Sequence, residues 1–283
     1  MGHLLDLPRE IRDHILSILL RDPLAQQRPT PALVQKANTR RDPNDASARK
    51  IRYPSAAPPE SVLKSLMLVN RQLNHEVHEA IEHFTKCGMA NLTLDVLVES
   101  NKWLFPTWIS ALPYCPIVKQ LRVQLRPFAN LSSSAEIGNP FVAAWHFGDL
   151  LNAVLKHGPG FNFSLESKQF VVEELLVDIV TDLSMVNPGH DDSEVIDRAK
   201  SLRDFMVAHI DGFLVVIHKR YHVPWGPILL SRVHKLKIVA AEETLLELDV
   251  LLRAHDCNIE ILEPLRKRRR SLDSLLKVHN VDS

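Results

Sequence analysis

The chain has 283 residues, with 34 Lys/Arg, 34 Asp/Glu and a formal net charge of zero. Hydrophobic residues at 45% and charged residues at 24% are globular proportions, which excludes wholesale disorder and allows a sizeable core. The charge balance disfavours a uniformly basic nucleic-acid binder. With 18 Pro against 9 Gly, glycine-rich phosphate loops and an all-β chain of tight turns are also disfavoured. Cys87, Cys115 and Cys257 are far apart and form no CxxC, so neither a disulfide framework nor a cysteine-rich zinc site is expected. No apolar run approaches the roughly 18 residues of a membrane span. The longest, Gly212 to Ile217, stops at His218-Lys219-Arg220. The N-terminus lacks a basic region followed by an apolar one, so no secretory signal is expected. The expected setting is intracellular, cytoplasmic or nuclear, with no membrane partner.

In chain order, Pro8 suits the start of a helix, and Ile11, Ile15, Ile18 and Leu19 then follow helical spacing over about 12 residues. Residues 21–60 lose that pattern. Pro23, Pro29, Pro31, Pro43, Pro54, Pro58 and Pro59 punctuate a polar, basic stretch, which reads as a flexible insert. A second helix is predicted from Glu60 to Phe84, with Leu63, Leu66, Met67, Val69, Leu73, Val77, Ala80, Ile81 and Phe84 as its apolar stripe. Beyond Gly88, strands are predicted at 92–98, 118–125, 170–180 and 233–239, with a short fifth at 258–262. Helices are predicted at 140–157, 192–221 and 242–254, and residues 105–114 read as a short helix or turn. The sequence therefore predicts an α+β or α/β fold of about five strands. Its units would be residues 1–88, a body at 89–263 and a basic tail at 264–283.

One pattern recurs. Val118/Leu121/Val123/Leu125, Val172/Leu175/Val177/Ile179 and Val233/Leu236/Ile238/Ala240 share V-x-x-L-x-[VI]-x-[LIA] at spacings of 54 and 61 residues. These spacings exceed the roughly 20–29 residues of a leucine-rich repeat. The echo is either an irregular α/β repeat or the alternation that any half-buried strand displays.

Catalytic signatures are missing. There is no G-x-S-x-G, no G-x-x-x-x-G-K-[ST] and no G-x-G-x-x-G. His75, His78 and His83 cluster, but their spacings of three and five are not the H-E-x-x-H of a zincin helix, and a solvated polar face accounts for them. Asp191 and Asp192 have the position of helix-capping carboxylates. Trp103, Trp108, Trp145 and Trp225 are scattered and read as core or rim residues. No catalytic residue, metal or cofactor is expected, and the chain is read as a non-enzyme. The run Arg266, Lys267, Arg268, Arg269 and Arg270 has the composition of a nuclear-localisation or acidic-partner patch, and equally of a solvated tail.

The two N-terminal helices resemble a split F-box. Leu7, Pro8, Glu10, Ile11, Ile15, Leu16, Leu19 and Leu20 match its opening, and Leu66, Val69, Asn70, Arg71 and Leu73 match its end. The pair is more similar still to F-box-like proteins abundant in filamentous fungi, which carry "LLDLPPEIRNxIY", a gap and then "LLxVNRQIxxEA". Leu4 to Arg12 and Leu66 to Val77 follow that order. Trp103-Leu104 and Val118 to Val123 extend a weaker likeness to about residue 125. The resemblance implies docking on the Skp-family linker of an SCF-type ubiquitin ligase, with the downstream body holding an unknown substrate protein. Leu7, Pro8, Ile11, Ile15 and Leu16 would face the linker, with Leu66, Val69 and Arg71 from the second half-motif. The insert interrupts a motif that is contiguous in the family.

Two other readings stand beside the adaptor: a nuclear protein that engages nucleic acid or an acidic partner through residues 266–270, and an enzyme of unrecognised type. Residues 21–52 carry eight Lys/Arg against three Asp, and residues 264–283 carry six against two. The remaining residues hold 20 positive and 29 negative charges, so neutrality hides an acidic body flanked by two basic stretches.

Overall fold

The computed structural model describes residues 4–21, 39–40, 51–54, 62–86, 90–99, 103–110, 117–128, 140–158, 171–180, 196–197, 200–208, 229, 231–240 and 243–250. A short 3-10 turn at Leu4–Asp6 leads into α1 (Arg9–Arg21). Two two-residue strands, β1 (Thr39–Arg40) and β2 (Tyr53–Pro54), pair antiparallel. Then come α2 (Val62–Val69), α3 (Arg71–Lys86), β3 (Asn91–Glu99), β4 (Trp103–Ser110) and β5 (Ile117–Phe128). They are followed by α4 (Pro140–His157), β6 (Val171–Ile179), β7 (Val233–Ala240) and β8 (Glu243–Asp249). Residues 200–208 are also helical. The class is mixed α/β, as the sequence indicates.

Six strands form one sheet in the order β4-β3-β5-β6-β7-β8. β3, β5, β6 and β7 are parallel neighbours laid down in chain order, and β4 and β8 close the two edges antiparallel. The recurring pattern is the register of this sheet. Val118, Val172 and Val233 are side by side. Leu92, Leu121, Leu175 and Leu236 form the next row, followed by Leu94/Val123/Val177/Ile238 and Val96/Leu125/Ile179/Ala240. The last three rows share one face, because strand side chains alternate; Val118, Val172 and Val233, three residues before the leucines, fall out of that alternation but join the same hydrophobic cluster. All but Ala240 are buried. The residues of the echo are therefore cross-strand neighbours: β5, β6 and β7 each add one residue to every row, and β3 adds one to all but the first.

The helices cover that face. Leu16 and Leu20 of α1, Val77, Ile81 and Phe84 of α3, Leu150 and Val154 of α4, and Leu202 and Met206 join the rows in one hydrophobic cluster. The cluster runs across residue 88, so the N-terminal helices and the sheet share a core. The other face is polar. Both oxygens of buried Asp95 accept bonds from buried Arg126, Arg122 pairs with Asp178, and Gln120 donates to Glu174 at 2.6 Å. There Leu97 packs on Phe105 as a separate small cluster.

Three expected elements are corrected. Residues 105–110 are not a helix or turn, because Trp103–Ser110 is the strand β4, and residues 111–114 lie outside the described residues. Its Pro106, lacking an N–H, is tolerated because the strand is an edge. Residues 242–254 are not a helix throughout. Glu243–Asp249 is the strand β8, held on β7 with Lys235 opposite Asp249 and Lys237 opposite Glu247. Among the described residues the main sheet accordingly has six strands. Nor is the second helix continuous. It breaks at Asn70, whose Oδ1 accepts the Gln72 N–H at 2.6 Å and caps α3, while Asn74 Nδ2 donates to the Met67 carbonyl at the end of α2.

Within the expected insert, Arg21 ends α1, residues 39–40 and 51–54 are described, and the rest lie outside the described residues. Ile51 is buried and bridges Leu104 of β4, the Arg52 N–H donates to the Leu104 carbonyl at 2.8 Å, and the Arg52 guanidinium sits 4.5 Å above the Trp103 ring. This segment shields the otherwise open edge of β4. Residues 258–262, Asp191 and Asp192 (expected as helix caps), Trp225 and most of 192–221 lie outside the described residues.

Candidate interaction site

The expected docking residues fall on α1, the turn before it and the α2–α3 junction. Pro8 precedes α1, and its carbonyl accepts the Ile11 and Arg12 N–H groups at 3.1 and 3.2 Å. The inward face of α1 is Arg12, Leu16 and Leu20, with Leu19 partly buried. This rotation leaves apolar side chains outside. Leu7 is 37% exposed, Ile11 48% and Ile18 51%, with Ile15 half-buried between them. Ile11, Ile15 and Ile18 have i, i+4, i+7 spacing, so they line one stripe of the helix. At the end of α2, Leu68 and Val69 are each 73% exposed. Pro8 and Arg71 are also exposed.

Two residues from the expected set are placed elsewhere. Leu16 is 2% exposed and belongs to the shared core, so on this surface it holds α1 to the body. Leu66 is half-buried against the same core. Ile18 and Leu68 are exposed apolar residues that matching to the motif alone does not select. The helical spacing 11/15/18 was the available signal for Ile18.

The two half-motifs are joined by a buried ion pair. Arg12 donates from Nε to Glu76 Oε2 at 2.9 Å and from Nη2 to Glu76 Oε1 at 2.7 Å, a two-pronged contact between α1 and α3. Gln72 Nε2 donates to the same Oε1 at 2.9 Å. At the exposed rim, Arg9 binds Asp13 and Glu79, each at 2.8 Å. The Arg12 bonds, assisted by Gln72 and the nearby Arg9 and opposed by burial, hold the Glu76 carboxyl below the usual carboxylate range. Arg9 does the same to Glu79, and both guanidinium groups are shifted upward in return. Nothing in the composition signals the Arg12–Glu76 pair, whose members are 64 residues apart.

Between α1 and α3 opens a groove of about 410 Å³ lined by Arg9, Asp13, Ser17, Leu20, Glu79 and Phe84. On its charged rim, Arg9 pairs with both Asp13 and Glu79. His75, His78 and His83 are exposed on α3, and His75 lies 3.2 Å from Glu79. Among the described residues no group of three or more His, Cys, Asp or Glu could hold a metal ion. Trp108 is buried in the core. No helix among the described residues is long and apolar enough to cross a membrane. The tail residues Arg266 to Arg270 lie outside the described residues.

The chain matches no protein-family model, no curated protein and no solved structure.

Proposed function

We propose that this chain is a non-enzymatic interaction protein that docks through its N-terminal helices on a Skp-family linker and so acts as a substrate adaptor. The observation that carries the reading is the solvent-facing stripe Ile11, Ile15 and Ile18. It lies on the half-motif that resembles an F-box opening, and Arg12–Glu76 ties that half to the other. Fully burying an exposed Ile is worth about 1.5–3 kcal/mol. Three partly exposed isoleucines therefore offer a partner a substantial apolar gain. The helix keeps its own attachment through Leu16 and Leu20, so docking outside does not compete with the core. In this reading the insert leaves the motif usable, because the two halves meet through side chains and need not be contiguous in sequence. The strand body, built rung by rung behind the helices, is the part left for a substrate protein.

The test is a pull-down with purified Skp-family linker. The folded chain is expected to retain the linker, and Ile11→Asp with Ile18→Asp is expected to release it without changing the circular dichroism spectrum. Failure of the folded chain to bind, or full binding by the double variant, refutes the reading.

A further inference from the structure

We propose that Arg12 is the positioning residue of the Leu4–Pro8 turn, one guanidinium setting the pose of Leu7 and Pro8 and tying it to the α1–α3 junction. This deepens the adaptor reading and depends on it only for the identity of the partner.

Two sides of the Arg12 guanidinium are used differently. Nε and Nη2 bind the two oxygens of Glu76. Nη1 points back along the chain, donating to the Leu7 carbonyl at 2.5 Å and lying 3.5 Å from the Leu5 carbonyl. The planar fork allows both at once, since its donors are fixed relative to each other. Arg12 is 8% exposed and Glu76 1%, so the donors and their acceptor are largely withdrawn from competing water.

The turn needs such an anchor. None of Leu4, Leu5 and Asp6 is buried, and Leu7 and Pro8 are exposed. Apolar burial is therefore a weak constraint on its conformation. Its Leu7 N–H donates to the Leu4 carbonyl at 3.2 Å, and Pro8 has no N–H to add. Attachment of α1, by contrast, does not rest on Arg12 alone. Leu16 and Leu20 are in the core, and Arg9 reaches Glu79. The Nη1 arm is thus the part of Arg12 whose loss falls on the turn. Lys carries the charge but offers one compact ammonium, which cannot serve Glu76 and the Leu7 carbonyl together.

The experiment is amide hydrogen exchange on the full chain, comparing residues 4–8 with residues 71–86 in wild type, Arg12→Lys and Glu76→Gln. Arg12→Lys is expected to speed exchange across 4–8 by about tenfold, the loss of roughly one charge-assisted hydrogen bond, with 71–86 unchanged. Unchanged exchange across 4–8 in folded Arg12→Lys overturns the proposal. Should that variant fail to fold, Glu76→Gln, which weakens the fork while keeping Arg12, decides by the same comparison. A second arm measures linker binding. Arg12→Lys, held well below its own melting transition, is expected to weaken it about tenfold, and equal affinity overturns the positioning role. If the wild-type chain binds no linker, the adaptor reading fails while the exchange result still judges Arg12.

Discussion

Asp95→Asn is the sharpest perturbation of the fold. Asp95 is 0% exposed and its partner Arg126 1%, on adjacent parallel strands β3 and β5 at the polar face of the sheet. Arg126 reaches both Asp95 oxygens, Nε to Oδ1 at 2.5 Å among them. The variant removes the negative charge and leaves a guanidinium inside the protein. Breaking a buried pair by removing one partner costs about 3–5 kcal/mol, because the remaining charge loses its close counter-charge. Against a total stability of about 5–15 kcal/mol, that is a large fraction. Replacing both partners by apolar residues of similar size is close to neutral by the same reasoning. Urea unfolding followed by tryptophan fluorescence should therefore place Asp95→Asn about 3–5 kcal/mol below wild type. Asp95→Leu with Arg126→Met should be clearly more stable than the single variant. A loss under about 1 kcal/mol for Asp95→Asn, or additive losses in the double variant, would refute the assignment of this pair as a buried charge couple.

Leu121→Ala, in the fully buried central row, should lose about 2–5 kcal/mol by cavity formation, whereas Lys119→Ala, largely exposed on the same strand, should stay within about 0.5 kcal/mol. Comparable losses at both positions in urea melts would contradict the burial assigned to Leu121. Glu76 has a folded pKa below its ordinary value near 4.5. Its contribution is therefore fully present above that value and lost as pH falls through the folded pKa. Between pH 5 and 3 the wild type should lose stability more steeply than Glu76→Gln, and parallel curves would rule this out. Leu68→Ser with Val69→Ser should leave the melting temperature unchanged, since both side chains are mostly exposed. A marked drop would mean that they are covered.

The central sheet was legible because its strands alternate strongly and their apolar positions coincide. Val118, Leu121, Val123 and Leu125 repeat in two later strands, and the register places them opposite one another. The edges were less legible. β4 contains Pro106, which reads as a break until the strand is known to be an edge. β8 reads Glu-Thr-Leu-Leu-Glu-Leu-Asp, whose leucines also fit a helix. What separates the two readings is the opposed charges Lys235/Asp249 and Lys237/Glu247, visible only once the pairing is fixed. On α1 the spacing predicted the helix but not its rotation. Ile11 and Ile18 were counted in the apolar stripe, yet the inward face is built around Arg12, because Glu76 is there to receive it. A single sequence carries no signal that pairs those two residues across the insert.

The most direct test of the adaptor reading is a calorimetric titration of the folded full chain with purified Skp-family linker at several temperatures. The account predicts saturable one-to-one binding with a negative heat-capacity change, the mark of apolar burial, and its loss in Ile11→Asp with Ile18→Asp. No saturable heat at any temperature with the wild-type chain folded, or undiminished binding by the double variant, would contradict it.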